Sequence, residues 1–177
     1  ALLLIRQKAY SQISDERRRQ AVVEQLGPSE RTAAQWLRTF VLAAENPTEA
    51  AEKWQKFVDD ANQALKQGRD GAVERQTVLG LVQYHAELLT EIGQDERAKP
   101  LFAQVVRWSP EALDGLLDLV RWLIDHKALD AVDALEAEHG EYIQSQPLLL
   151  YAVSEVRTLQ GNEELAAKAA ERARTLA

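Results

Sequence analysis

Taking Gly93 as zero, Ala98, Phe102, Val105 and Pro110 stand at offsets 5, 9, 12 and 17; counted from Gly161, the first three of these offsets reach Ala166, Ala170 and Ala173. The offset between the two glycines is 68, twice 34. A period of about 34 residues accommodates two helices and their turns, and a unit of that size buries its apolar face only by stacking on neighbours. The spacing therefore constrains the chain to a line of helix pairs.

Composition agrees. Ala, Leu, Glu, Gln and Arg dominate the sequence, and β-branched and aromatic residues are scattered rather than alternating with polar ones. That pattern favours helix almost throughout. Glycine and proline mark the breaks. Leu2 to Leu26 forms one helix or two, with Ser14-Asp15 able to cap the second, and Gly27-Pro28 ends it. Ser29 caps a helix from Glu30 to about Glu45, and Asn46-Pro47 precedes a helix from Thr48 to Leu65. The run "KQGRDG", Lys66 to Gly71, holds two glycines and no apolar residue, and is the candidate hinge. Further helices are expected over Ala72–Ile92, within Gly93–Pro110, and over Pro110–His126, Leu129–His139, Pro147–Gln160 and Asn162–Leu176. Turns this short make successive helices antiparallel. Two segments follow: a degenerate helical-repeat segment, 1–70, and a more regular one, 71–177.

The spacing resembles that of the tetratricopeptide repeat family. Gly93 resembles the turn glycine between the two helices of a unit, and Ala98 the small residue that permits close approach. Phe102 and Val105 resemble the apolar pair that packs back on the first helix, and Pro110 the closing proline. Ala86, seven residues before Gly93, matches the small residue of the first helix. There are departures. Val82, His85 and Leu89 stand where the family often has Trp, Leu and Tyr. The middle unit has Lys127 in place of glycine and Glu136 at an offset that wants an aromatic, and its proline, Pro147, comes three residues late. The unit Thr32–Leu65 carries Ala50 and Trp54 at helical spacing but no turn glycine. The match thus covers roughly Val73 to Ala177.

What the resemblance implies is an all-α fold, a right-handed α-solenoid of antiparallel helix pairs, with first helices lining a concave groove. In the family that groove is lined by residues 13, 10, 6, 3 and 2 places before the turn. Counting back from Gly93, Lys127 and Gly161 gives Gln83 and Glu87, then Leu117 and Arg121, then Tyr151 and Glu155. Apolar and aromatic groups there would supply contact area, and charges would set register.

The net charge is -7. Duplex binding normally rests on a basic face that neutralises phosphate, so the balance argues against nucleic acid. With no cysteine in the chain, disulfides, thiolate metal sites and a cysteine nucleophile are excluded. There is no methionine, even at position 1, and we read the sequence as a fragment of something longer. The N-terminal apolar run, Ala1 to Ile5, is too short to span a bilayer, so no membrane insertion is expected. The compartment is not legible; the cytoplasm is the default.

Several motifs have a bland reading and a sharper one. Glu136 and His139 form a Glu-x-x-His pair, the spacing of di-iron bundles, but such sites need two pairs and two further glutamates. The lone pair reads as a solvated helix end. Asp114, Asp118, Asp125 and His126 share one helix without a converging loop, so a metal is not expected. Asp114 is explained by the helix dipole. Arg17-Arg18-Arg19, flanked by Asp15, Glu16 and Glu24, reads as a solvated face. His85 is expected in the core as a hydrogen-bonded packing residue. Trp36, Trp54, Trp108 and Trp122 should be mostly core, with one or two as partner anchors. Pro100, inside a helix capped by Asp95, should make the first turn irregular or 3₁₀.

No phosphate loop, nucleophile elbow or paired histidine motif is present. The expected function is a non-catalytic scaffold that binds a protein or peptide and needs no cofactor. The alternative is a self-association or intramolecular assembly module of a larger protein.

Overall fold

The computed structural model describes residues 32–66 and 75–177. Among them every regular element is an α-helix: α1 Thr32–Ala43, α2 Pro47–Lys66, α3 Arg75–Glu91, α4 Asp95–Trp108, α5 Leu113–Asp125, α6 Ala131–Gln144, α7 Pro147–Leu159 and α8 Glu163–Leu176. The expected helix over Leu2–Leu26, its cap at Ser14-Asp15, the Gly27-Pro28 break, the Ser29 cap, the Arg17-Arg18-Arg19 face and the hinge beyond Lys66 lie outside the described residues. The fold is all-α over what is described. The chain forms two compact units, Ala1–Ala98 and Lys99–Ala177, dividing within α4.

In the first unit α1 packs on α2 and α2 on α3. Asn46 caps α2, which starts at Pro47 rather than at the expected Thr48: the Asn46 side-chain oxygen accepts the Glu49 amide at 3.2 Å, and Pro47 takes the first helical position, where no donor is needed. Trp54 is fully buried, its indole N–H donating to the Leu81 carbonyl at 3.0 Å. Phe40 and Tyr84 lie in contact, with Trp54 edge-on to Tyr84. Ala50, Ala51, Val82, Ala86 and Leu89 complete this core.

In the second unit α7 is central, packing on α5, α6 and α8. Leu116, Leu123, Val132, Leu135, Ile143, Leu149, Leu150 and Val153 form its core, and Phe102 packs on Trp122 with ring centroids 4.8 Å apart. Ala166 is buried as expected, and Ser154 shows why a small residue belongs there: its hydroxyl donates to the Ala166 carbonyl at 2.8 Å across α7 and α8. Ala98 is likewise buried.

The turns carry the period. The Gly93 amide donates to Thr90 and that of Gln94 to Leu89. The Gly161 amide donates to Thr158 and that of Asn162 to Arg157. Both glycines are left-handed, at φ 74° and 76°. Midway between them in sequence, Lys127 is also left-handed, at φ 56°, with the same two bonds, Lys127 to Ile124 and Ala128 to Leu123. All three are Schellman closures, which satisfy the last carbonyls of a helix. The periodic turn persists where the sequence has no glycine.

Three expectations need correction. The helix capped at Asp95 instead begins after Gln94, whose carbonyl accepts from both Arg97 and Ala98, and α4 runs through Pro100 as an α-helix. Proline removes one donor near the start and the ring sits at the exposed surface, so no 3₁₀ segment is needed. The helix expected to end at His139 kinks there, at φ -116° and ψ 16°, and continues to Gln144. Of the four tryptophans only Trp54 is fully buried, while Trp36, Trp108 and Trp122 are half-buried at the edges of the packing.

Candidate partner-binding surface

Helix α5 buries Leu116, Leu119, Val120 and Leu123 on one side. At about 100° per residue, the opposite side carries Asp114, Leu117, Asp118, Arg121 and Asp125. Leu117 is half-buried, Asp118 and Arg121 are exposed, and Asp114 and Asp125 flank them at the two ends of the helix. Arg121 pairs with Asp118 at 3.3 Å, both well solvated, so the pair adds little stability. Helix α7 buries Leu149, Leu150, Val153, Val156 and Arg157, leaving Leu148, Tyr151, Glu155 and Leu159 on its open side. Leu148 is 56% exposed, Tyr151 41% and Leu159 54%, values that place an apolar row in water.

The two rows are in register. Leu148, Tyr151, Glu155 and Leu159 follow Asp114, Leu117, Arg121 and Asp125 by one period each, and α5 packs directly on α7. Of the six residues expected to line a groove, Leu117, Arg121, Tyr151 and Glu155 therefore fall on one pair of adjacent helices. Gln83 and Glu87 are half-buried on α3, in the other unit. Leu148 and Leu159 were not singled out in the sequence, although they sit 13 and 2 places before Gly161, offsets that the family pattern assigns to the same face.

Other titratable groups are occupied structurally. Arg157 is buried and donates to Glu136, to Asp133 (2.7 Å) and to Gln160 (2.9 Å). Burial disfavours its charge, but the Glu136 and Asp133 hydrogen bonds outweigh that and hold its pKa above the ordinary value. Glu136 thus turns toward Arg157. His139 turns elsewhere, its Nε2 3.1 Å from the Val106 carbonyl and its Nδ1 3.5 Å from Glu111. With a carbonyl as partner, Nε2 carries the hydrogen. The Glu-x-x-His pair therefore diverges, and His139 is buried rather than at a solvated helix end. His126 faces the Trp122 carbonyl at 2.9 Å and lies against the Phe102 and Trp122 rings, away from the aspartate row. Among the described residues no three His, Asp or Glu side chains gather closely enough to hold a metal ion.

His85 is fully buried, but neither ring nitrogen has a hydrogen-bond partner of good geometry, contrary to the expectation of a bonded histidine. Burial pushes its pKa down to about 4; a weak backbone interaction with Trp54 and the charges of Asp59 and Glu52 oppose this, and Arg97 adds to it.

Open clefts lie among the described residues. One of about 570 Å³ lies between α1 and α2, where Trp36 and Phe57 meet Arg38, Lys53, Lys56 and Asp60. Lys53 there pairs with Glu49 at 2.8 Å. Another, of about 400 Å³, lies between α6 and α8 beside Leu165, Lys168 and Arg172. No helix among the described residues is long and apolar enough to cross a membrane.

Comparison with protein-family models, with curated proteins and with solved structures finds no match.

Proposed function

We propose that this chain is a non-catalytic protein–protein interaction module, a right-handed α-solenoid of tetratricopeptide-like repeats that receives a peptide or partner domain on its first-helix face. The observation that carries the reading is the set of three equivalent left-handed turns at Gly93, Lys127 and Gly161, each one period from the next. A backbone that repeats at this interval brings equivalent helix faces into register. The in-register faces of α5 and α7 are open to solvent. An exposed apolar row rimmed by charge is the usual form of a docking surface.

Binding here needs no bond chemistry. Tyr151 and the flanking leucines contribute contact area, and Arg121 with Glu155 sets register and discriminates between partners. The test is capture from a native extract by the chain and by its Glu155→Lys, Tyr151→Ala double variant. The variant is expected to lose the captured partner while its helicity and melting temperature stay unchanged, since both side chains are exposed. Capture that survives this change, but is lost when exposed residues of α6 and α8 are altered, refutes the assignment.

A further inference from the structure

Resting on that reading, we infer that the occupant of the α5–α7 face is a cationic amphipathic helix. The two adjacent rows differ in kind. That on α7 is mainly apolar, Leu148, Tyr151 and Leu159, with Glu155 and Thr158 as its exposed polar members. That on α5 is acidic, carrying Asp114, Asp118 and Asp125, with Arg121 already paired to Asp118. Across both rows four carboxylates accompany one guanidinium, so the surface beside the leucines is negative.

A complementary ligand must present apolar groups to α7 and, from the same side, cations to α5. A strand points alternate side chains in opposite directions, so its basic groups would leave the surface when its apolar groups contact it. On a helix, residues a third of a turn from the apolar stripe reach sideways onto the neighbouring row. The dimensions agree: Leu148 to Leu159 spans about 16 Å of helix, three turns of a ligand helix laid alongside. Lysine or arginine flanking that stripe meets Asp114, Asp118 and Asp125, an attraction that speeds association and weakens with salt.

The probe is a labelled helical peptide of about 18 residues with leucines at i, i+3, i+4 and i+7 and lysines on both flanks. Companions carry glutamate for lysine, or the same residues scrambled. Binding is read by fluorescence anisotropy to the full chain. The lysine helix is expected to bind at least about tenfold more tightly than either companion, with the preference falling as salt rises. Replacing Asp114, Asp118 and Asp125 with Asn should remove the preference, whereas Glu138→Gln, Glu141→Gln and Glu171→Gln together, an equal change of charge on α6 and α8, should not. Leu148→Ser with Leu159→Ser should abolish binding of the lysine helix, with a thermal melt confirming that the variant folds.

If the glutamate helix binds as well through the same leucines, the cationic assignment is wrong while the docking face stands. Scrambled peptide binding equally overturns the helical assignment. If no peptide binds, or if binding ignores both the leucines and the aspartates, the inference fails, and the capture experiment with Glu155→Lys and Tyr151→Ala decides the broader reading separately. A wild-type dimer in sedimentation that Leu148→Ser and Leu159→Ser convert to monomer means that a second copy occupies the face, and overturns the inference.

Discussion

At Lys127 a side chain occupies a conformation that the equivalent turns give to glycine. A left-handed residue with a Cβ costs about 1 kcal/mol, and the Schellman bonds of the closing turn hold it there. Lys127→Gly should therefore stabilise the chain by about 0.5–1 kcal/mol, because relief of that strain exceeds the added freedom of the unfolded chain. Gly93→Ala should do the reverse by about 1 kcal/mol. A Cβ at Gly93 would meet no atom within 4 Å, so the cost is conformational rather than a clash. Urea midpoints of the two variants, shifted in opposite directions, are the check. His85 acts at the same scale. Its folded pKa of about 4 lies below the ordinary 6.5, so between these values the unfolded chain binds a proton that the folded chain refuses. The stabilisation is complete above pH 6.5 and lost as pH falls to about 4, by roughly 3 kcal/mol. His85→Leu, matching the apolar Leu119 and Val153 at the equivalent positions, should flatten stability over that window. Denaturant titrations at neutral pH and near the folded pKa measure the difference between the variant and wild type.

Among the helices, the middle and last pairs depart from apolar packing in a compensated way. Arg157 stands one period after Leu123 and two after Leu89, both fully apolar core positions, and Glu136 stands one period after Phe102. The two polar residues meet, joining α6 to α7 by an ion pair that Asp133 completes. Removing Glu136 strands a buried cation with one carboxylate, so Glu136→Ala should cost about 2–3 kcal/mol. Arg157→Leu leaves carboxylates that water can reach, and should cost less than Glu136→Ala or nothing. Chemical denaturation of the two variants and of the double variant gives the coupling. Equal losses from both single changes would mean that the arginine stem, not its charge, holds the helices together.

For the molecule as a whole, the division between core and surface on α7 governs stability and, under the proposed reading, recognition. Leu148 and Leu149 are neighbours in sequence on different sides of the helix, one 56% exposed and the other fully buried. Leu148→Ala should change stability by less than about 0.5 kcal/mol, whereas Leu149→Ala should cost about 2–5 kcal/mol. Melting temperatures separate them directly, and a large loss at Leu148 would mean that this row belongs to the core. The exposed large apolar side chains among the described residues, Leu148, Tyr151, Leu159, Leu165 and Leu176, all lie on α7 and α8. Under the proposed reading, recognition is therefore concentrated in the second unit, and the acidic net charge suits cationic partners rather than nucleic acid.

Among the described residues the helices and most of their ends were written in the sequence, because helix propensity, proline and glycine act on local backbone alone. The repeat interval was equally legible from Gly93, Ala98, Gly161 and Ala166, residues chosen for backbone freedom or close approach. What sequence could not decide was where local rules yield to contacts distant along the chain. Lys127 takes a glycine's conformation because the helix end requires that turn. Pro100 stays in a regular helix because it lies near the start, at the surface. His139 kinks its helix while its ring reaches Val106 and Glu111. Glu136 and Arg157, each a departure from the repeat, become partners only when α6 and α7 meet. The exposed row on α7 needed both sources: offsets from the turn marked Tyr151 and Glu155, but only packing showed that Leu148 and Leu159 stay in water, because burial depends on which neighbours cover a helix face.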